Sequence, residues 1–327
     1  MKLKYLIIII LFITSCSFNT TDVYQTNRNN LINIQDKINV IDFETSIFSR
    51  YSMISTTKDY LIVADNDSPD TVMQIFDKNS FNHIKSFGIK GQGPFEYISI
   101  GPIKYDELDN SILITEFAKK EIYSYNLDSL LEISNYILNV KYKLLPIFPS
   151  YYYQINDSIS LCELIQIDEN SCIKSIAKWH MKNNFYEYYD DKDSKIENSS
   201  ISLAVSRSNK IFAKCYENLD LIRLYDFEGN LLKNIYGPNR NEHDFVNYNL
   251  SLFTKDYLFA LFIGERIEKN INITKIQVFD INGNYLATLD LKYKIRDFCY
   301  DEYTNRLFIF FDDEIQFGYI NIDELML

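Results

Sequence analysis

One short hairpin phrase recurs along the chain and constrains the fold more than any other feature. Residues 224–233 (LYDFEGNLLK) comprise an apolar strand, an Asp, a tight turn with Gly and a second apolar strand. Residues 278–287 (VFDINGNYLA) repeat this order, and residues 75–81 (IFDKNSF) form a weaker copy without the Gly. Recurrence at about 50 residues, or at multiples of that spacing, is typical of repeat architectures. Since the repeated unit consists of strands alone, the sequence predicts a β-propeller.

The units are predicted to be four-stranded antiparallel blades, because short apolar runs and period-two alternation dominate the sequence. The clearest unit has strands at residues 201–205, 211–216, 221–225 and 231–236. The second unit is expected to begin with an inner strand at residues 103–105 and to end in an outer strand at residues 133–138. The unit at about 149–191 fits least well, since its central apolar run leaves little room for a turn. We expect six blades, or seven if that unit contains two.

The last unit has three predicted strands, at about residues 297–300, 307–311 and 315–320, before the chain ends. An open sheet edge promotes aggregation, so the ring needs a fourth strand from elsewhere. Residues 39–43 (NVIDF) are the natural donor. The predicted fold is therefore an all-β, six-bladed propeller closed by an N-terminal strand.

The first residues indicate export and lipidation. Lys2 and Lys4 precede an apolar run at residues 6–13, which is too short to span a bilayer, and small residues then lead to Cys16. Residues 13–16 (ITSC) resemble the bacterial lipobox, in which the cysteine becomes lipidated. The alternative is an ordinary export signal with a chance cysteine. The expected organisation is a signal peptide over 1–15, a lipidated Cys16 with a flexible tether over 16–32, and one propeller domain over 33–327.

The net charge of the chain limits the classes of partner that it can bind. The formal net charge is −12, and loss of Lys2 and Lys4 with the signal makes it −14. Nucleic acids and anionic lipid headgroups need a basic patch, and the sequence has no cluster of Lys and Arg. We therefore expect no nucleic-acid partner, and membrane attachment only through the N-terminal lipid. No acidic run follows Cys16, so an outer-membrane anchor facing the periplasm is favoured.

Cysteine and histidine spacing gives no sign of a metal or of nucleophilic catalysis. Four cysteines remain beyond Cys16, namely Cys162, Cys172, Cys215 and Cys299, each in an apolar strand context. Buried free thiols are favoured over disulfides, because the hairpin places Cys162 opposite about residue 176. CxxC, HExxH and GxSxG motifs are absent. No cofactor, metal ligand or catalytic residue is predicted.

Residues 86–97 (SFGIKGQGPFEY) resemble the Gly-x-Gly-x-Gly-Pro-x-Glu-Phe signature of TolB-like six-bladed propeller lipoproteins of bacteria. Phe95 stands where a small residue is usual, and Tyr97 where Phe is usual. The resemblance extends over nearly the whole mature chain. It implies the fold and an envelope location, and it implies no substrate.

The glycine-rich segment is predicted to be a structural crossing between blades. Gly88, Gly91, Gly93 and Pro94 would let the chain turn from one outer strand to the next inner strand, with Glu96 accepting backbone N–H bonds. A phosphate-binding loop is disfavoured, because no helix start and no Lys-Ser/Thr follow. Residues 236–245 (YGPNRNEHDF) form a second copy after the fourth blade.

These loops also define the predicted ligand or partner face around the channel mouth. Its candidate residues are Gln92, Glu96, Tyr97, Arg240, Glu242, His243 and Asp244. The predicted function is a non-catalytic platform that binds an unknown protein or small molecule there. The alternative is a hydrolase or lyase with its active site on the same face.

Overall fold

A computed structural model describes residues 21–43, 48–133, 136, 139–143, 148–168, 171–189, 200–241, 245–266, 273–325 and 327. Five antiparallel four-stranded meanders follow one another along the chain, and a sixth sheet of three strands is completed by a strand from the N-terminal segment, so the predicted six-bladed, all-β propeller is confirmed. The signal peptide and Cys16 lie outside the described residues. Within the described ranges, no helix is long and apolar enough to cross a bilayer.

Each of the first three blades has strands A, B, C and D in chain order from the centre outward. Three short strands precede them: β1 (Asp22–Tyr24), β2 (Leu31–Asn33) and β3 (Asn39–Ile41), with a 3-10 turn at Gln35–Lys37. Blade 1 contains β4 (Ser52–Thr56), β5 (Tyr60–Asp65), β6 (Thr71–Asp77) and β7 (His83–Ile89). Blade 2 contains β8 (Ile100–Asp106), β9 (Ser111–Glu116), β10 (Glu121–Asn126), helix α1 (Leu127–Glu132) and β11 (Asn139–Lys143). Blade 3 contains β12 (Phe148–Asn156), β13 (Ile159–Asp168), β14 (Ser171–His180) and β15 (Phe185–Tyr188).

The remaining blades continue the same order. Blade 4 contains β16 (Ile201–Ser206), β17 (Ile211–Tyr216), β18 (Leu221–Asp226) and β19 (Leu231–Tyr236). Blade 5 contains β20 (Phe245–Phe253), β21 (Tyr257–Arg266), β22 (Lys275–Asp280) and β23 (Tyr285–Asp290). Blade 6 contains β24 (Ile295–Asp301), β25 (Arg306–Phe311) and β26 (Phe317–Asn321), followed by a 3-10 turn at Ile322–Glu324.

Ring closure occurs as predicted. Strand β3 pairs antiparallel with β26, with Ile41 opposite Phe317, and supplies the outer strand of blade 6. Phe43 then enters the junction with blade 1, where its ring lies 4.1 Å from Phe76 and 4.9 Å from Phe317. The first and last blades are therefore joined by both backbone pairing and aromatic packing.

The core is divided among the junctions between neighbouring blades. Each of six clusters of buried apolar side chains joins two adjacent blades, and together they run once around the ring. A blade is apolar on both faces because each face packs against a neighbour, which explains the continuous apolar runs of the B and C strands. The ring is thus stabilised by repetition of one type of contact.

The segment expected to be a flexible tether contains structure from residue 22 onward. Strand β1 pairs in parallel with β19 at the outer edge of blade 4, and β2 pairs in parallel with β23 of blade 5. Between them, Arg28 enters the junction of the two blades with only 1% of its side chain exposed. Its Nη1 donates to Asp220 Oδ1 at 2.9 Å and to Tyr248 Oη at 2.5 Å. The chain therefore wraps around blades 4 and 5 before it closes blade 6.

Two blades differ from the sequence-based expectation. Blade 2 has its outer strand at β11, because Asn126 caps Ser129 N–H at 3.0 Å and starts α1 between the third and fourth strands. The prediction of a strand at 133–138 is wrong at its start, since Ile133 is the C-cap of α1. Blade 3 is complete, with Cys162 opposite Ala177, one residue from the predicted register. Cys162, Cys215 and Cys299 are free thiols.

The meander gives the ring two distinct ends. All six A strands run in the same direction, so the A–B and C–D turns lie at one end, called here the A–B face. The D–A loops and B–C turns lie at the other end, called here the D–A face. The glycine-rich segment joins β7 to β8 and therefore belongs to the D–A face.

Candidate functional site

The glycine-rich loop has the structural role that its sequence indicated. Glu96 Oε2 accepts the Gly93 N–H at 2.6 Å, and Gly91 N–H donates to Tyr97 O at 3.0 Å. A Cβ added at Gly91 would lie 2.1 Å from Glu96 Oε2, and one added at Gly93 would lie 2.8 Å from the Glu96 carboxyl carbon. Glu96 therefore folds back into its own loop, and the glycines leave room for it.

Two other residues of this loop are also committed to the fold. Gly88 has a φ of +77°, in the left-handed region that favours glycine, and a Cβ there would lie 2.6 Å from Met73. Tyr97, predicted on the ligand face, is fully buried, and its hydroxyl lies 2.9 Å from that of Tyr125. It packs at the junction of blades 1 and 2 because its ring completes the apolar cluster there. Gln92 and Pro94 are exposed.

The second loop is anchored from a different position. Asp220, in the B–C turn of blade 4, accepts Asn239 N–H on Oδ2 at 3.0 Å and leaves no room for a side chain at Gly237. Arg240 stacks over Tyr24 of β1 at 5.3 Å, at the outer rim of the ring. It therefore lies away from the channel. Glu242, His243 and Asp244 lie outside the described residues.

A cavity of about 330 Å³ lies in the channel. Its lining comes from the A strands and reaches the A–B turn of blade 6 at Glu302 and Tyr303. A neighbouring cavity of about 400 Å³ shares Lys104 and Tyr153 and reaches the A–B turn of blade 4 at Arg207. Both open toward the A–B face, opposite to the face predicted from the sequence. Clefts of this size are typical of small-molecule sites.

Lys104 is the cationic group of this channel. It lies on β8, and its Nζ is 4.2 Å from the centre of the Tyr153 ring. Among the described residues, this amine has no carboxylate oxygen within 4.0 Å and donates no hydrogen bond. Burial lowers the pKa of Lys104 to about 8, although the Asp297 carboxylate opposes that change. At pH 7 the amine is mostly charged, with the Tyr153 ring as its neighbour.

Asp297 places a carboxylate in the same cavity. It lies on β24, where Oδ2 accepts Ile54 N–H and Oδ1 accepts Phe298 N–H, each at 2.9 Å. Burial raises the pKa of this carboxyl to about 6, while the two N–H donors and Lys104 act in the opposite direction. At pH 7 most Asp297 side chains are ionised, although the loss of hydration destabilises this charged form.

Most of the other titratable groups near the cavity are neutral or already paired, and Glu302 adds an exposed carboxylate where the cavity reaches the A–B turn of blade 6. Burial raises the pKa values of Tyr151, Tyr153 and Cys299, so these groups are protonated at neutral pH. Asp301 forms a buried ion pair with Lys78 at 2.9 Å, and Glu163 lies 3.1 Å from Lys174 Nζ. Among the described residues, Lys104 and Asp297 are therefore the charged groups without an ion-pair partner on the A strands that line this part of the channel.

A metal centre is not evident at this site. In the part of the chain that the structure describes, no three His, Cys, Asp or Glu side chains are grouped so as to hold a metal ion. Asp65, in the oxygen-rich turn at residues 65–70, is engaged by Ser49 and accepts Ser49 N–H at 2.8 Å.

The two central charges were missed by sequence reasoning, although a signal was present. The predicted inner strands at residues 103–105 and 297–300 already contained Lys104 and Asp297. A charged residue in an inner strand of a propeller faces either the channel or a neighbouring blade. Attention to charges in the innermost strands, rather than in the loops, would have identified both residues.

These features define a six-bladed propeller with a small charged cavity in its channel. A family model described as 6-bladed beta-propeller, DUF5128, matches residues 14–265, and the chain belongs to this family. No curated protein has significant sequence similarity to the chain.

Several solved structures share the fold. The chain is similar to a luciferin-regenerating enzyme (TM-score 0.57, 9% identity, 86% of this chain and 93% of the other). It is also similar to the calcium-binding protein regucalcin from Agrobacterium tumefaciens (0.57, 9%, 89% and 95%). A putative exported protein from Bacteroides fragilis is similar as well (0.52, 13%, 90% and 88%). At these identities the likeness establishes the fold alone.

Proposed function

We propose that this protein binds a small polar ligand in the channel, entering from the A–B face, and that it acts as a binding protein without turnover. The observation that carries the proposal is the Lys104 amine, which faces a cavity with an aromatic wall and has no carboxylate within ion-pair distance among the described residues. The Lys104 side chain is half-buried, and partial loss of hydration without a paired anion is costly for an ammonium group. A ligand anion that pairs with Lys104 would offset that cost, and the amine is available for such a pair in the free protein.

We propose further that the propeller is a TolB-like lipoprotein held at the envelope through Cys16, facing the periplasm from the outer membrane. Three features support this: the lipobox-like residues 13–16, the signature at residues 86–97, and fold similarity to a putative exported protein. Metabolic labelling with a fatty-acid analogue tests the anchor. Label that persists in Cys16→Ser would refute lipidation at this position.

The channel site is tested with a matched pair of variants. Lys104→Met removes the charge and keeps a long side chain, whereas Arg240→Ala alters the face predicted from the sequence. Thermal unfolding with a panel of organic anions, amino acids and sugars identifies ligands, because a ligand that binds the folded state raises its stability by about 2.7 kcal/mol at a hundred times its Kd. We expect Lys104→Met to abolish the shift and Arg240→Ala to retain it. The reverse result would refute the channel site and favour the D–A face.

An enzymatic function is the second candidate, and one observation favours it. Asp297 and Lys104 have pKa values of about 6 and about 8 in one cavity, and groups that titrate near neutrality suit acid–base catalysis by a hydrolase or lyase. Each ligand found by thermal unfolding is therefore incubated with the protein and analysed by mass spectrometry. Unchanged ligand favours the binding protein. Conversion that is lost in Asp297→Asn would establish the enzyme.

A further inference from the structure

We infer that the channel ligand is a zwitterion, of the class of free amino acids and short peptides. Its carboxylate would pair with Lys104 and its ammonium with Asp297. The inference rests on the proposed channel site and specifies its chemistry.

Two opposite charges share one cavity without forming an ion pair. Lys104 and Asp297 both line the same 330 Å³ space, and their charges influence each other's pKa. The amine nevertheless lies over the Tyr153 ring, and Asp297 is held by backbone N–H groups. The two charges therefore face one cavity without a direct ion pair between them, and a ligand in that cavity can reach both.

Both charges also retain bonding capacity. An ionised carboxylate has about four acceptor positions, and Asp297 uses two of them for Ile54 and Phe298. The ammonium of Lys104 has three donors, none of which has an acceptor among the described residues. A single ligand with one carboxylate and one ammonium would satisfy both groups.

Ligands with only one charge fit this cavity less well. A simple carboxylate would pair with Lys104 but bring a second negative charge near Asp297, whose ionised form already bears a desolvation cost. A simple amine would bring a second positive charge near Lys104. Selectivity therefore arises from repulsion of singly charged ligands as well as from attraction of the zwitterion.

The surrounding walls fit an amino-acid body. Tyr151 and Tyr153 present aromatic surface beside the charged groups, and Met53 and Leu250 add apolar surface. The second cavity, which shares Tyr153, offers room for a larger side chain or a second residue. The site therefore suits a zwitterion with an apolar side chain.

The pH dependence of binding follows from the two titrations. Below about pH 6 Asp297 gains a proton and loses its attraction for the ammonium, and above about pH 8 Lys104 loses its proton and its attraction for the carboxylate. Tyr151, Tyr153 and Cys299, which face the same space, stay neutral across this range. Glu163 and Asp301 have lysine partners, and the Glu302 carboxylate is exposed in the A–B turn of blade 6. Affinity should therefore be greatest between pH 6 and pH 8.

Calorimetric titration of the purified protein at pH 7 tests the inference. The probes are the free amino acids and dileucine, with N-acetyl-leucine and leucine amide as singly charged counterparts of leucine. We expect at least one free amino acid or dipeptide to bind, and its singly charged counterparts to bind at least about tenfold more weakly, which corresponds to 1.4 kcal/mol. The pH optimum of the unmodified protein is a second measurement that needs no variant.

Two variants assign the charges, with circular dichroism to establish folding. Asp297→Asn should abolish the preference for the free amino acid over its N-acetyl form, and Lys104→Met should abolish the preference over its amide. Equal binding of leucine and N-acetyl-leucine would overturn the zwitterion while leaving an anion site in the channel. Failure of every amino acid and dipeptide to bind would also overturn the zwitterion. Thermal unfolding with the organic anions would then test the channel site separately.

Discussion

A buried ion pair joins the first and last blades, and its removal should weaken ring closure. Lys78 Nζ donates to Asp301 Oδ1 at 2.9 Å, to Thr57 O at 2.9 Å and to Lys58 O at 2.6 Å. The two side chains are 2% and 0% exposed. Lys78 follows β6 of blade 1, and Asp301 ends β24 of blade 6. The pair therefore connects the two blades that are most distant in sequence.

Lys78→Met keeps the aliphatic stem and removes the charge. Asp301 then remains buried with the Tyr303 N–H and the Thr304 hydroxyl as donors, and without a cation. Breaking a buried pair from one side costs about 3–5 kcal/mol, because an uncompensated charge is left behind. Since a protein of this kind is stable by only about 5–15 kcal/mol, this is a large fraction of the total.

Urea unfolding followed by circular dichroism measures the effect. We expect the midpoint to fall with an unchanged slope, and the double variant Lys78→Met/Asp301→Asn to lose less than the sum of the two single changes. Arg296→Ala is the matched control, because its pair with Asp312 is exposed and should contribute less than about 1 kcal/mol. If Lys78→Met lowered the free energy of unfolding no more than Arg296→Ala does, the assigned role of the pair would be refuted.

Three further changes have defined outcomes. The raised pKa of Asp297, about 6, means that the folded protein binds this proton more tightly than the unfolded chain, so stability falls as pH rises from about 4 to 6. Asp297→Asn should therefore be more stable than the unmodified protein at pH 8, by up to about 3 kcal/mol, and equal to it below pH 4, as measured by urea unfolding at both pH values. Phe43→Ala should cost about 3–5 kcal/mol, because it empties the aromatic junction at the closing strand; a loss below about 1 kcal/mol in chemical denaturation would contradict this. Gly91→Ala should lower the free energy of unfolding by roughly 1–3 kcal/mol, because its Cβ would displace the Glu96 carboxylate. The double variant Gly91→Ala/Glu96→Ala should recover most of the melting temperature that Gly91→Ala loses.

The elements that the sequence predicted best are those fixed by local patterns. Strands β17 and β19 have the predicted bounds, and β16 and β18 each extend one residue further. Their apolar runs and their Asn- and Gly-containing turns lie next to each other in the chain, so no distant contact is needed to define them. The complete closure by β3 was also predictable, because an unpaired edge strand implies a partner.

The elements that were missed depend on distant partners. Strands β1 and β2 have three residues each, and no short pattern marks them as strands. They exist because the outer edges of β19 and β23 offer unpaired backbone groups to them. Helix α1 is too short to show a period, and the Asn126 cap was its local signal.

The sequence by itself determined the class of fold, the mode of closure and the structural use of Glu96 among its glycines. Each of these depends on hydrogen-bonding capacity, turn geometry or side-chain period within a short stretch of chain. The tertiary structure alone decided that Tyr97 is buried, that Arg240 lies at the rim, and that Lys104 and Asp297 share one cavity. Burial and charge depend on what surrounds a side chain in space, and closure of the ring brings residues from the second and sixth blades into the same enclosed channel.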